Sequence, residues 1–227
     1  MSTRPVLAAF AVAALLPTAA LAAKPPKPPK PAPATGVATL GVSAPSLTFP
    51  GAVTVTGSLS GVARLGNVPV TLEHDDSRPY GDSFKPAGQS VKTNTTGGYS
   101  FAVRPARNTQ YRVVVKASPS ITSSARLVAV RPFVGLKASI RTPRAGRIVR
   151  FSGLVRPARN GAAVLLQRRT PSGRYATIVR SRLRASGSDS IFAIAARVRR
   201  SGTYRVKVPG NVDLINGFSR PVSVRAR

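Results

Sequence analysis

Gly202-Thr203-Tyr204-Arg205-Val206-Lys207-Val208 decides the fold, because the chain carries this pattern twice. The earlier copy is Asn108-Thr109-Gln110-Tyr111-Arg112-Val113-Val114-Val115. Each puts Tyr and Val on one face and polar or basic residues on the other, the period-two pattern of a half-buried strand. Each opens on a turn-forming Asn-Thr or Gly-Thr with a Tyr at most two residues later. That placement predicts a tyrosine corner, with Tyr111 and Tyr204 filling the core edge and their hydroxyls bonded to upstream backbone. The two tyrosines lie 93 residues apart, about the length of one two-sheet sandwich.

Working outward, both copies sit in similar surroundings. The earlier half predicts strands at Val37–Val42, Ala52–Thr56, Val68–His74, Gln89–Thr93, Tyr99–Arg104, Gln110–Ala117 and Ser124–Val130. The later half repeats the order at Val134–Ile140, Arg147–Ser152, Ala163–Arg168, Tyr175–Leu183, Ser190–Arg197, Tyr204–Val208 and Pro221–Arg225. These segments are short, alternating, rich in Val and Thr, and bounded by Gly, Pro, Asn and Ser. Val53-Thr-Val55-Thr-Gly57 matches Val149-Arg-Phe151-Ser-Gly153, and Val70-Thr-Leu72-Glu73 matches Val164-Leu-Leu166-Gln167. Tyr99-Ser-Phe101-Ala-Val103 is set against Ser190-Ile-Phe192-Ala-Ile194, and Ser124-Ala-Arg-Leu-Val against Ser219-Arg-Pro-Val-Ser. The join at Val130-Arg131-Pro132 has no linker, so the halves should sit end to end with limited swing.

Gly146…Phe151-Ser-Gly153, Gly161…Val164-Leu-Leu166-Gln167-Arg168 and Gly202-Thr-Tyr204-Arg205-Val206 resemble the immunoglobulin-like modules of secreted and cell-surface bacterial proteins. The resemblance covers residues 36–227 and implies spacers, stalks, or adhesion and glycan-binding units. The fold expected is all-β: two tandem immunoglobulin-like (fibronectin III-like) antiparallel β-sandwiches, at 36–131 and 132–227. A signal peptide at 1–22 and a Pro/Lys-rich linker at 23–35 precede them. Val6 to Leu16 is an apolar run, Pro17 ends it, and Ala20-Leu21-Ala22 offers a small-x-small cleavage site. The run is shorter than the ~20 residues of a membrane span; a retained anchor is the competing reading. Lys24 to Pro33 alternates Lys with Pro and should form an extended polyproline spacer.

The 227 residues include 35 Lys+Arg against 6 Asp+Glu, a net charge of +29. Such an excess attracts polyanions, although Arg- and Ala-rich codon usage is a second explanation. There is no Cys, which excludes disulfides, thiol catalysis and Cys-based zinc sites. Catalytic motifs are missing too. The only His is His74, and no phosphate loop, dinucleotide fingerprint or zinc motif occurs, so no enzyme and no cofactor are expected. Glu73, Asp75, Asp76 and Asp82 form an acid-rich loop with Gly81. Oxygen-rich loops can hold Ca²⁺, but the spacing fits no EF-hand and a plain polar loop is the commoner outcome.

The charge is concentrated in the later half, where 21 basic side chains face 2 acids, against 10 and 4 in residues 36–131. Strand parity puts Arg180, Arg182 and Arg184 outward, together with Arg150, Arg197 and Arg199. Neighbouring strands of one sheet would then share a single arginine-covered face. Guanidinium forks suit phosphate, sulfate and carboxylate, while stacking aromatics for bases are scarce in this set. The expected function is an exported, non-catalytic surface or structural module that contacts anionic envelope polymers or glycans through this face. Alternatives are an extracellular nucleic-acid or polyanion binder, and an accessory unit tethering a separate enzyme. Localisation follows as secreted or extracellular cell surface.

Overall fold

Period-two patterning becomes strand after strand, with no helix, across the residues that the computed structural model describes, 36–117 and 119–227. The signal peptide at 1–22 and the Pro/Lys linker at 23–35 fall outside the described residues. The first half contains β1 (Val37–Ala38), β2 (Gly41–Val42), β3 (Ser46–Thr48), β4 (Val53–Ser60), β5 (Pro69–Asp75), β6 (Lys85–Lys92), β7 (Gly98–Val103), β8 (Thr109–Val115), β9 (Ile121–Thr122) and β10 (Arg126–Arg131). The second contains β11 (Phe133–Val134), β12 (Lys137–Ala138), β13 (Arg147–Arg156), β14 (Ala163–Arg169), β15 (Tyr175–Arg182), β16 (Arg184–Ser186), β17 (Asp189–Val198), β18 (Gly202–Val208), β19 (Gly217–Phe218) and β20 (Val222–Val224).

Each half builds two sheets over one core. In the first, β4 is flanked by β1 and β2 on one edge and β7 on the other. Facing it is the sheet β3-β10-β8-β5-β6, with β9 also on β8. Every pairing is antiparallel except β3 with β10, a three-residue edge strand that the alternation of the sequence does not reveal. In the second half the sheets are β11-β13-β17-β16 and β15-β14-β18-β19, with β12 on β13 and β20 on β18. Val55, Phe101, Val70 and Val113 close the first core; Phe151, Ile194, Leu166 and Val206 close the second. Each such side chain contributes about 1.5–3 kcal/mol through burial, and these alternate positions fix the register.

The register corrects two of the expected correspondences. Gly57 opposes Tyr99, and Gly153 opposes Phe192, so Tyr99 is the counterpart of Phe192 rather than of Ser190. A slip of two keeps the same face inward, which is why alternation alone could not detect it. Both glycines are needed: a Cβ at Gly57 would collide with the Thr39 carbonyl and the Tyr99 ring, and one at Gly153 with the Gly135 carbonyl and the Phe192 ring. Likewise Ser123 corresponds to Ser219, not Ser124. Their hydroxyls accept from Val113 N at 3.0 Å and Val206 N at 2.9 Å.

Tyr111 and Tyr204 are buried, as their position predicts, and Tyr204 packs on Phe151 with ring centroids 4.9 Å apart. Among the described residues, however, their hydroxyls donate to no backbone carbonyl. That bond is made by Tyr99, whose hydroxyl donates to the Thr39 carbonyl, because Tyr99 faces the open backbone beside Gly57.

A loop of the second half completes the first. After β18 the chain turns at Pro209, and Asn211 Oδ1 accepts from the Asp213 and Leu214 amides to fold the loop on itself. Leu214 is thereby pushed into the first core, where it is 4% exposed. Around it Asn108 N donates to Asp213 O at 2.7 Å, and Ile215 N donates to Val130 O at 2.9 Å. Asn108 Oδ1 also accepts from Val130 N at 2.8 Å. The described residues, from 36 to 227, belong to one compact unit, and this latch is one physical reason.

Candidate polyanion-binding face

The six arginines expected on one face are all exposed, but they do not share it. Arg180 and Arg182 lie on β15, in the β15-β14-β18 sheet. Arg150 and Arg197 lie on β13 and β17 of the opposite sheet, diagonal neighbours through the pairs Arg150–Ala195 and Ile148–Arg197. Arg184 is on β16 at the edge of that second sheet, and Arg199 lies just beyond β17. The cause is Leu183. It is buried, its amide donates to Ala162 O, and its carbonyl accepts from Gly161 N. Pinned there, the chain leaves one sheet and enters the other, so arginines of equal parity end on opposite sides of the core. Between Arg197 and Arg184 the outer surface of β13 and β17 is largely apolar, with Leu154, Ile191, Ala193 and Ala195 on it.

Basic residues do converge on the outer face of the β15-β14-β18 sheet. The register aligns Arg182 with Ala163, Arg180 with Leu165 and Lys207, Thr177 with Gln167 and Arg205, and Tyr175 with Arg169. β19 adds Phe218 opposite Lys207. Arg205 lies at the centre. Its guanidinium carbon is 3.8 Å from the Tyr175 ring centroid and 4.4 Å from that of Phe218, and its Nε donates to Gln167 Oε1 at 2.9 Å. Lys207 Nζ is 5.9 Å from the same Phe218 ring. These cation–π contacts and the Gln167 brace hold the guanidinium flat in a fixed direction. The second half has two carboxylates, Asp189 and Asp213, and both are engaged elsewhere, with Arg156 at 2.8 Å and Arg107 at 3.9 Å.

The expected list of site residues omits Arg169, Arg205, Lys207, Tyr175 and Phe218. Arg205 and Lys207 were visible as the basic face of the repeated strand itself. Tyr175 and Phe218 could not be read, since their contact with Arg205 depends on strand order.

The acid-rich loop is built differently from a cation site. Glu73 accepts from Arg112 Nε at 2.7 Å, Asp76 lies 3.5 Å from Lys85 Nζ, and Asp82 accepts from Ser83 Oγ at 2.9 Å. Asp75 is fully buried, and its two oxygens accept from the amides of Ser77, Gly81 and Ser83. Burial pushes its carboxyl up, but the amide donors outweigh burial and hold it below the usual carboxylate range. Asp75 thus organises the turn. Among the described residues no three acidic or imidazole groups converge on a metal position. His74 precedes Asp75 in β5, and its Nδ1 is buried with no hydrogen-bond partner among the described residues.

No family model matches the chain, and no curated protein matches it. Among solved structures, it is similar to the tetra-tandem repeat in the extending region of a large adhesion protein, at 14% identity and a TM-score of 0.37. The match covers 84% of this chain and 49% of that one, so the chain spans about half the length of the structure it matches. No helix among the described residues is long and apolar enough to cross a membrane.

Proposed function

We propose that the chain is an exported, non-catalytic surface module: two immunoglobulin-like sandwiches in tandem on a Pro/Lys spacer, gripping an anionic envelope polymer or glycan through the basic outer face of the second. One observation supports the gripping face above the others. Arg169, Arg180, Arg182, Arg205 and Lys207 share the outer side of β14, β15 and β18, and no carboxylate shares it with them. Like charges on neighbouring strands destabilise a sheet unless something offsets them, and a bound polyanion would supply that offset. The immunoglobulin-like reading of each half rests on sheet grouping: one sheet built around β4 with β7, or β13 with β17, against one containing β5 with β8, or β14 with β18.

The test is retention of the whole chain on immobilised heparin and on polygalacturonate, with uncharged dextran as control. Retention should fall steeply with salt, because binding by charge neutralisation releases counterions. Elution with the dextran control at low salt would overturn the reading and leave a passive spacer.

A further inference from the structure

The two halves carry the same outer face with one decisive exchange. Cross-strand register pairs Glu73 with Arg112 in the first half and Gln167 with Arg205 in the second. An aromatic ring lies on each guanidinium, Phe84 at 4.1 Å from Arg112 and Tyr175 at 3.8 Å from Arg205. Each Nε is braced in the same way, by Glu73 Oε2 at 2.7 Å and by Gln167 Oε1 at 2.9 Å. The architecture is therefore duplicated, but the charge is not. Glu73 neutralises Arg112, whereas Gln167 holds Arg205 in position and leaves its charge whole.

The surrounding positions follow the same division. Ser90, Val114 and Thr122 of the first half occupy the places of Arg180, Lys207 and Phe218 in the second, while Lys92 and Arg182 correspond. One unopposed charge, Lys92, remains on the first face at these positions, against four on the second. Arg205 also has its terminal amino groups left over. Its Nε is occupied by Gln167 and its plane by Tyr175 and Phe218, and among the described residues those amino groups have no protein acceptor. A guanidinium edge held flat in this way presents two parallel donors, the geometry that takes up carboxylate or sulfate. Bases bind by stacking on open aromatic planes, and here both rings are already covered by Arg205.

Resting on the function proposed above, we infer that residue 167 is the specificity switch: neutral Gln167 makes the second half the binding half, and its ligand is an acidic polysaccharide bearing carboxylate or sulfate groups. Glu73 is the off state of the same device in the first half.

The whole chain is titrated with heparin and with polygalacturonate, which separate sulfate from carboxylate, and with duplex DNA, in parallel with three variants. Gln167→Glu rebuilds the Glu73–Arg112 pair in the second half and should weaken polysaccharide binding about tenfold or more, the scale of losing one well-placed charge contact. Gln167→Met keeps the side-chain volume and adds no charge but removes the brace on Arg205, and should weaken binding less than Gln167→Glu does. Glu73→Gln releases Arg112 and should strengthen binding, by less, because only Lys92 stands beside it. Melting curves confirm that each variant is folded. Normal binding by Gln167→Glu, a loss in Gln167→Met equal to that in Gln167→Glu, or no gain in Glu73→Gln would each overturn the switch while the proposed function stands. A parent chain that binds DNA and neither polysaccharide would overturn the ligand class and the proposed function with it, in favour of a nucleic-acid binder. A parent that binds none of the three would overturn the proposed function and the switch with it.

Discussion

Tyr99 shows how one hydroxyl separates two halves that are otherwise alike. Its counterpart Phe192 covers Gly153 just as Tyr99 covers Gly57, but only Tyr99 reaches a carbonyl, that of Thr39. Tyr99→Phe should therefore cost about 0.5–1.5 kcal/mol, one intramolecular hydrogen bond. Tyr204→Phe should leave the urea midpoint nearly unchanged, since its hydroxyl serves no backbone group. Burial pushes the hydroxyls of Tyr99 and Tyr111 up to about 12. Their folded values thus lie above the unfolded value of about 10. The stability they contribute is complete below pH ~10 and is lost as the pH climbs toward 12. Urea midpoints measured between pH 8 and 12 should drop above pH 10, and the drop should shrink in Tyr99→Phe. Tyr111 and Tyr204 were legible as buried rings because their spacing and alternation set them inward. Which tyrosine would find a carbonyl was not legible, because it depends on which residue stands across from a glycine.

The long strands were legible, since in a sandwich burial and the two-residue period coincide, whereas the two- and three-residue strands β3, β9, β16 and β19 were not. What the alternation hides is a change of sheet. Leu183 interrupts no pattern, yet its two backbone bonds to Gly161 and Ala162 pass the chain from the β14 sheet to the β17 sheet. That single crossing divides Arg180 and Arg182 from Arg184, Arg150 and Arg197. The division has a direct functional test. Arg180→Ser with Arg182→Ser should remove much of the chain's salt-dependent retention on heparin. Arg150→Ser with Arg197→Ser, the same change in net charge on the opposite face, should remove little. Equal losses in the two double variants would show that total charge governs binding and the face does not. Neither pair should unfold the chain, because exposed substitutions of this kind shift stability by about 0.5 kcal/mol or less.

At the scale of the whole molecule, the absent linker at Val130-Arg131-Pro132 predicted limited swing, and the latch gives that expectation a mechanism. The loop Asn211–Asn216, Asn-Val-Asp-Leu-Ile-Asn, lies between the strand segments read from the sequence. Its one apolar residue that matters, Leu214, is recognisable only once the first core is seen to lack a side chain at that end. Leu214→Ala should destabilise the first half by about 2–5 kcal/mol, the usual range for a buried leucine. It should also separate a single melting transition into two, measured by calorimetry on the whole chain. A single unshifted transition would show that the Asn108 and Val130 hydrogen bonds hold the joint without the leucine.

The latch also imposes an order of birth on the molecule. The first half needs a side chain that is specified 83 residues after its own last strand closes at Arg131. A chain emerging from its N-terminus can pair β1 to β10 early, yet that sandwich stays unplugged until position 214 is made and delivered. The second half therefore acts as a late chaperone in cis, the last piece of its predecessor's interior. Maturation of the first half then reports that synthesis has passed position 214.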